Sequence, residues 1–203
     1  MKNFRPQQRP KKNTLVIGKK AVIEALEAGK QLDRIYVQAN GYKDMQEEVR
    51  RVATQYAVPV NYVPVEKLNS FNIGEHGGCV AIISKVHYQD LQQVISFIVD
   101  KGEAPLLLIL DGITDVRNIG AIARTAFSTG VHAIIIPDKG VGALNEDAML
   151  TSAGALEKIT ICRVNSLMKA VDELRLNGIK VLASEMTATK TTFDMDFKEP
   201  VAI

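Results

Sequence analysis

Arg117 and Arg124 are the residues whose types and spacing could do chemistry. Counted by threes and fours, Arg117, Ala121, Arg124 and Ser128 form one stripe of a helix, off the apolar positions 119, 122, 123, 126 and 127. A guanidinium is permanently cationic and carries five N–H donors, so two of them on one stripe can grip a phosphate from the solvent side. The same arginines would also serve simply to solvate an ordinary helix.

The elements that must position these side chains run from Leu106 to Asp138. Leu106–Leu110 is an unbroken apolar run of strand length. Residues 111–115 supply turn formers, with Gly112 free to take positive φ. Helical spacing follows from Asn118, Gly130 stands where a left-handed cap belongs, and Val131–Ile136 is a second β-branched run. Strand, helix and strand at this spacing predict a right-handed βαβ unit in a parallel sheet. In such sheets ligands bind at the carboxyl ends of the strands, where a helix N-terminus also favours anions.

Asp111-Gly112-Ile113-x-Asp115 followed by Asn118-x-Gly120-x-x-x-Arg124-Thr125 resembles the first signature of the SpoU/TrmH family of RNA ribose 2′-O-methyltransferases, and Thr151-Ser152-Ala153-Gly154-Ala155-x-Glu157 is similar to a later segment of that family. The resemblance covers residues 14–203. It implies an α/β chain with a small L30-like α/β/α N-terminal domain and a parallel-sheet trefoil-knot (SPOUT) domain. It also implies methyl transfer from S-adenosyl-L-methionine to a ribose 2′-hydroxyl of structured RNA. Residue by residue, it makes Arg124 and Asn118 the catalytic candidates, with Arg117 toward the RNA. Ser184, Glu185 and Met186 fall in the loop that borders the donor's adenosine, where the alternative is a solvated loop. Members dimerise, with the site at the subunit interface. The N-terminal module favours a guanosine of large-subunit ribosomal RNA; transfer RNA is the alternative substrate.

Four stretches organise the chain: a basic tail, residues 1–13; an L30-like RNA-binding domain, 14–85; a connector helix within 86–104; and a SPOUT domain, 105–203. In the second stretch, Gly18-Lys19-Lys20-Ala21-Val22 resembles the start of the L30-like first helix. Lys19 and Lys20 there suit an RNA phosphate, or are two ordinary exposed lysines. The small residues 151–154 permit close approach, either to a ligand or to a packed helix. Glu199–Ile203 reads as the opening of a buried strand. The family continues from there through a loop and a further segment that complete the knot and hold most donor contacts. The expectation is that the natural protein runs on for roughly 40 to 50 residues, the length of one more strand, loop and helix. A chain without those segments is expected to be inactive, leaving non-catalytic RNA binding as the alternative function.

Composition narrows the classes. The 203 residues are 46% hydrophobic and 24% charged, an ordinary globular balance. No apolar run approaches the length of a membrane span and no apolar core follows the basic start, so a cytoplasmic protein without membrane partners is expected. Cys79 and Cys162 lack CxxC spacing and read as core thiols of a reducing compartment. His76, His87 and His132 show no ligand spacing, so no metal is expected. Lys2, Arg5, Arg9, Lys11 and Lys12 put five cations and no acid in the first thirteen residues, although the whole chain is only +2. Such a tail is expected to be disordered and either touches nucleic acid or acts as a solubilising leader. A dinucleotide-binding enzyme is disfavoured, because residues 111–115 lack the Gly-x-Gly turn and the glycines at 74–78 precede a strand, not a helix.

Overall fold

The computed structural model describes residues 14–203; the basic tail lies outside the described residues. The chain divides into two compact units, one ending at Lys85 and one beginning at Val86. No helix among the described residues is long and apolar enough to cross a membrane.

The first unit runs β1 (Leu15–Ile17), α1 (Lys19–Glu27), β2 (Leu32–Gln38), α2 (Lys43–Gln55), β3 (Val60–Val63), α3 (Val65–Asn69) and β4 (Cys79–Ile83). Its sheet has the order β1-β4-β2-β3, with only the β2–β3 pair parallel. Helices form where apolar residues recur at helical spacing: Val22 and Leu26 of α1, and Val49, Val52 and Ala53 of α2, pack on Ile35, Val37, Cys79 and Ala81 of the sheet. The opposite face is covered by Leu68 of α3 with Phe71 against Leu15 and Val80. Strand β2 starts at Leu32, two residues before the expected Arg34. Asp33 masks this start in the sequence, because a 5%-exposed carboxylate does not read as strand interior. It is tolerated by an ion pair, Arg34 Nε donating to Asp33 Oδ2 at 2.7 Å.

The second unit runs β5 (Tyr88–Gln89), α4 (Leu91–Asp100), β6 (Leu106–Ile109), α5 (Val116–Ser128), β7 (Ala133–Pro137), α6 (Glu146–Thr151), β8 (Thr160–Val164), α7 (Leu167–Leu176), β9 (Lys180–Val181) and β10 (Val201–Ala202). All neighbours in its six-stranded sheet, ordered β5-β8-β7-β6-β10-β9, are parallel. Helices α5 and α6 cover one face through Ile119, Ala123, Ala126 and Ala148; α4 and α7 cover the other through Leu91, Val94, Ile95, Ile98, Ala170 and Leu174. This double cover explains the continuous apolar runs of β6 and β7.

The connector helix expected within 86–104 is corrected at its start. Tyr88 and Gln89 form an edge strand against Ile161 and Cys162, and the helix starts only at Leu91, where Asp90 accepts from the Gln93 N–H at 3.0 Å. Its apolar side belongs to the core of the second unit. Val201 and Ala202 are not at an edge. They lie between β6 and β9, with Ile203 N–H donating to Leu107 O and Ile203 O accepting from Ile109 N–H. Cys79 and Cys162 are buried, and loss of solvation pushes both thiols up to about 12, so neither is a nucleophile near neutral pH.

Candidate functional site

Strand β6 delivers the chain to a turn whose last residue, Asp115, caps α5: its Oδ1 accepts from the Arg117 N–H at 2.9 Å. The helix therefore begins at Val116, earlier than the periodicity from Asn118 suggests, and Arg117 and Asn118 sit in its first turn. Arg117, Asn118 and Arg124 are all exposed. The Arg117 Nε is 3.9 Å from Asp115 Oδ1, a loose pair in solvent. Among the described residues the Arg124 guanidinium has no ion pair and no hydrogen bond; only its carbonyl is engaged, by the Ser128 hydroxyl at 2.9 Å. Arg117 and Arg124 share the expected stripe, about 10 Å apart along the axis. Asn118 does not join them: six residues separate it from Arg124, about 9 Å along the axis and a third of a turn around it. No hydrogen bond links the two among the described residues, so the structure does not bring Asn118 to the Arg124 head group.

Two glycines fix this helix. A Cβ on Gly120 would stand 2.5 Å from Ala148 O and 2.9 Å from Thr151 Cβ, so α5 meets α6 nearly backbone to backbone. The two quoted signature segments thus touch each other. Ser152, just after α6, serves packing: it is buried, donates to Met149 O at 2.8 Å and accepts from Leu156 N–H at 3.3 Å. A Cβ on Gly142 would lie 2.6 Å from Thr114 O, and its N–H donates to Ile113 O at 3.0 Å. That contact staples the loop after β7 to the loop after β6, both at carboxyl ends of the sheet. Asn145 then caps α6 by accepting from the Asp147 and Ala148 N–H groups. Asn145→Ala should cost about 1 kcal/mol in a urea melt. Neither staple was legible beforehand, because a glycine's partner across a fold leaves no local sequence signal.

The three donor-site candidates follow β9. Ser184, Glu185 and Met186 are exposed, and among the described residues the only hydrogen bond to them is Glu185 O accepting from Ala188 N–H. Further along the same loop, Thr191 and Asp194 close a capping box, and the Thr191 hydrogen bonds hold the Asp194 carboxyl below its ordinary range.

In the first unit, Lys19 is half-exposed and donates to Glu48 Oε2 at 2.6 Å, while Lys20 is open to solvent, its Nζ 3.9 Å from Glu24. The bond from Lys19 holds the Glu48 carboxyl below its ordinary 4.5. A depressed carboxyl contributes stability that is complete above its unfolded pKa and disappears as pH falls through the folded one. Glu48→Gln should therefore lower stability slightly at neutral pH, leave it unchanged well below pH 4.5, and so flatten the acid limb of the stability–pH curve.

Both units match known families. Residues 15–89 match the substrate-binding domain of RNA 2′-O ribose methyltransferases, and residues 105–203 match the SpoU rRNA methylase family. YacO of Bacillus subtilis (strain 168), designated a TrmH-family tRNA/rRNA methyltransferase, is 34% identical over 188 residues, covering 93% of this chain and 76% of that protein. A protein of the same designation from Staphylococcus haemolyticus (strain JCSC1435) is 32% identical over 189 residues, with 93% and 76% covered. Among solved structures, an AdoMet-bound rRNA methyltransferase from Sinorhizobium meliloti aligns over 93% of this chain and 68% of that one, at 20% identity and a TM-score of 0.49. The chain belongs to the SpoU/TrmH family of RNA 2′-O-methyltransferases, whose methyl donor is S-adenosyl-L-methionine.

Proposed function

We propose that the protein that carries this chain methylates the ribose 2′-hydroxyl of a guanosine in large-subunit ribosomal RNA, in the cytoplasm and as a homodimer whose interface forms the site. The observation that carries the reading is Arg124: a cation without an ion pair or hydrogen bond among the described residues, on a helix that starts at the carboxyl end of β6 and is clamped by Gly120. S-adenosyl-L-methionine, when bound, supplies an electrophilic methyl group. The task left to the protein is to orient the ribose and ease loss of the hydroxyl proton. A guanidinium does not accept that proton. Arg124 instead stabilises the alkoxide charge as it grows, or holds an RNA phosphate that takes the proton. Asn118, near the strand end, orients the ribose, and Arg117 on the same stripe as Arg124 holds a flanking phosphate.

The donor set after β9 suits a nucleoside chemically. A Ser184 hydroxyl and a Glu185 carboxylate would pair with ribose hydroxyls, and the Met186 thioether would suit contact with a base. These exposed groups form a rim, not an enclosure. The first unit, residues 14–85, holds the RNA, with Lys20 the freer of its two leading lysines.

Primer-extension mapping of 2′-O-methyl groups in a deletion strain, with and without the complementing gene, tests the assignment. One guanosine of large-subunit ribosomal RNA should lose its stop and regain it on complementation. A loss confined to transfer RNA would overturn the ribosomal assignment.

A further inference from the structure

The helix starts and turns of the first unit gather at one end of its sheet. Gly18 N–H donates to Cys79 O at 2.8 Å and Gln38 N–H to Gly78 O at 2.9 Å, which brings the entry to α1, the glycine loop 74–78 and the carboxyl end of β2 side by side. At this end stands Tyr42, the residue before α2, 87% exposed. Its backbone is held firmly. Gly41 N–H donates to Gln38 O, and the Gln46 side chain donates to both Gln38 O at 2.7 Å and Ala39 O at 3.0 Å. The glycine loop behind is held as well, His76 accepting from Gly78 N–H at 3.0 Å and meeting Asn69 Oδ1 at 2.9 Å. The loop also offers bare backbone, since a side chain at Gly74 or Gly77 would meet nothing within 4 Å. Lys20 and Lys43 are exposed on the two helix starts; Glu24 lies 3.9 Å from Lys20 Nζ, and Asp44 and Glu75 are exposed acids on the adjoining segments.

A tyrosine ring held out in water on a rigid corner contributes nothing to the core and forgoes the burial of its apolar faces. Presented between lysines, on a unit that matches an RNA substrate-binding family, it has the form of a stacking platform. We infer that Tyr42 stacks on an unpaired base of the RNA substrate, with Lys20 and Lys43 on the flanking phosphates. The inference rests on the RNA-methylating reading above and adds to it that the recognised RNA presents a single-stranded base. Stacking tolerates any base, so Tyr42 supplies grip and register, and the base chosen for methylation is set elsewhere.

The chain contains no tryptophan, so Tyr42→Trp creates a unique emitter at the proposed contact. Deproteinised large-subunit ribosomal RNA should quench that emission, and a fully duplex RNA should not. Tyr42→Ala should bind the ribosomal RNA roughly tenfold more weakly, as loss of one stacked base does, with an unchanged melting midpoint. Tyr42→Phe should bind within about twofold of the parent, because the ring and not the hydroxyl makes the contact. Emission unmoved by bound RNA, or equal affinity of Tyr42→Ala and the parent, would overturn the inference. If the parent methylates ribosomal RNA while Tyr42→Ala binds equally well, this inference alone fails; if the parent neither binds nor methylates it, the functional reading fails too.

Discussion

Arg124→Ala lowers single-turnover methylation by at least about a hundredfold while RNA affinity stays within a fewfold: that is the outcome expected if the guanidinium acts on charge that develops only in the transition state. The separation of the two effects matters. A residue that merely attracts phosphate weakens binding and leaves the chemical step intact. Because Arg124 is exposed and makes no internal contact with its head group among the described residues, its removal should not move the unfolding midpoint. Arg124→Lys keeps the charge but loses the planar fork, and should recover only part of the rate. Single-turnover rates near the parent's in Arg124→Ala would remove this residue from the mechanism. A matched loss in affinity and rate would reassign it to RNA binding.

Gly120→Ala is the second large effect. Inside a helix this exchange ordinarily stabilises by about 1 kcal/mol. Here the new Cβ would fall 2.5 Å from a backbone carbonyl, Ala148 O, and 2.9 Å from Thr151 Cβ, and no flexible side-chain end is there to yield. Helices α5 and α6 must separate, and overpacking of this kind costs about 1–3 kcal/mol. The clash should outweigh the gain in helix propensity, so urea midpoints should fall. Gly112 makes the internal comparison. It has open space around it and only its φ of 67° to resist a side chain, so Gly112→Ala should cost about 1 kcal/mol without disturbing a packed interface. Since Gly120 is on the helix that carries Arg124, Gly120→Ala should also depress methylation in the population that remains folded. A midpoint for Gly120→Ala equal to or above the parent's would contradict the close helix contact.

Much of the second unit could be read from its residues because burial on both faces writes a plain signal. The runs at 106–109 and 133–137 are apolar without alternation, and only a parallel sheet covered on both sides asks for that. Helix α5 and the stripe bearing Arg117 and Arg124 followed from spacing alone. What stayed hidden was short or nonlocal. Two-residue strands such as Tyr88–Gln89 have no periodicity to detect, so the edge strand was absorbed into the helix behind it. The start of α5 was misplaced because a capping carboxylate, Asp115, decided it instead of the apolar pattern. Thr151 and Ser152 were open to two uses until their contact with Gly120 showed that they serve packing. Tyr42 escaped notice altogether, since exposure of a lone aromatic is a property of the fold and leaves no mark on the sequence around it.

The place of β10 bears on how the protein is made. It follows β5 to β9 in the chain yet pairs inside the sheet, joining β6 on one side and β9 on the other. During synthesis, β6 therefore emerges with one neighbour position vacant and waits for about ninety further residues, roughly five to twenty seconds of elongation. Through that interval its backbone N–H and C=O groups along one side form an open template for any passing strand. Occupancy of trigger-type chaperones on the nascent chain is thus expected to persist until residues 201–202 clear the exit tunnel.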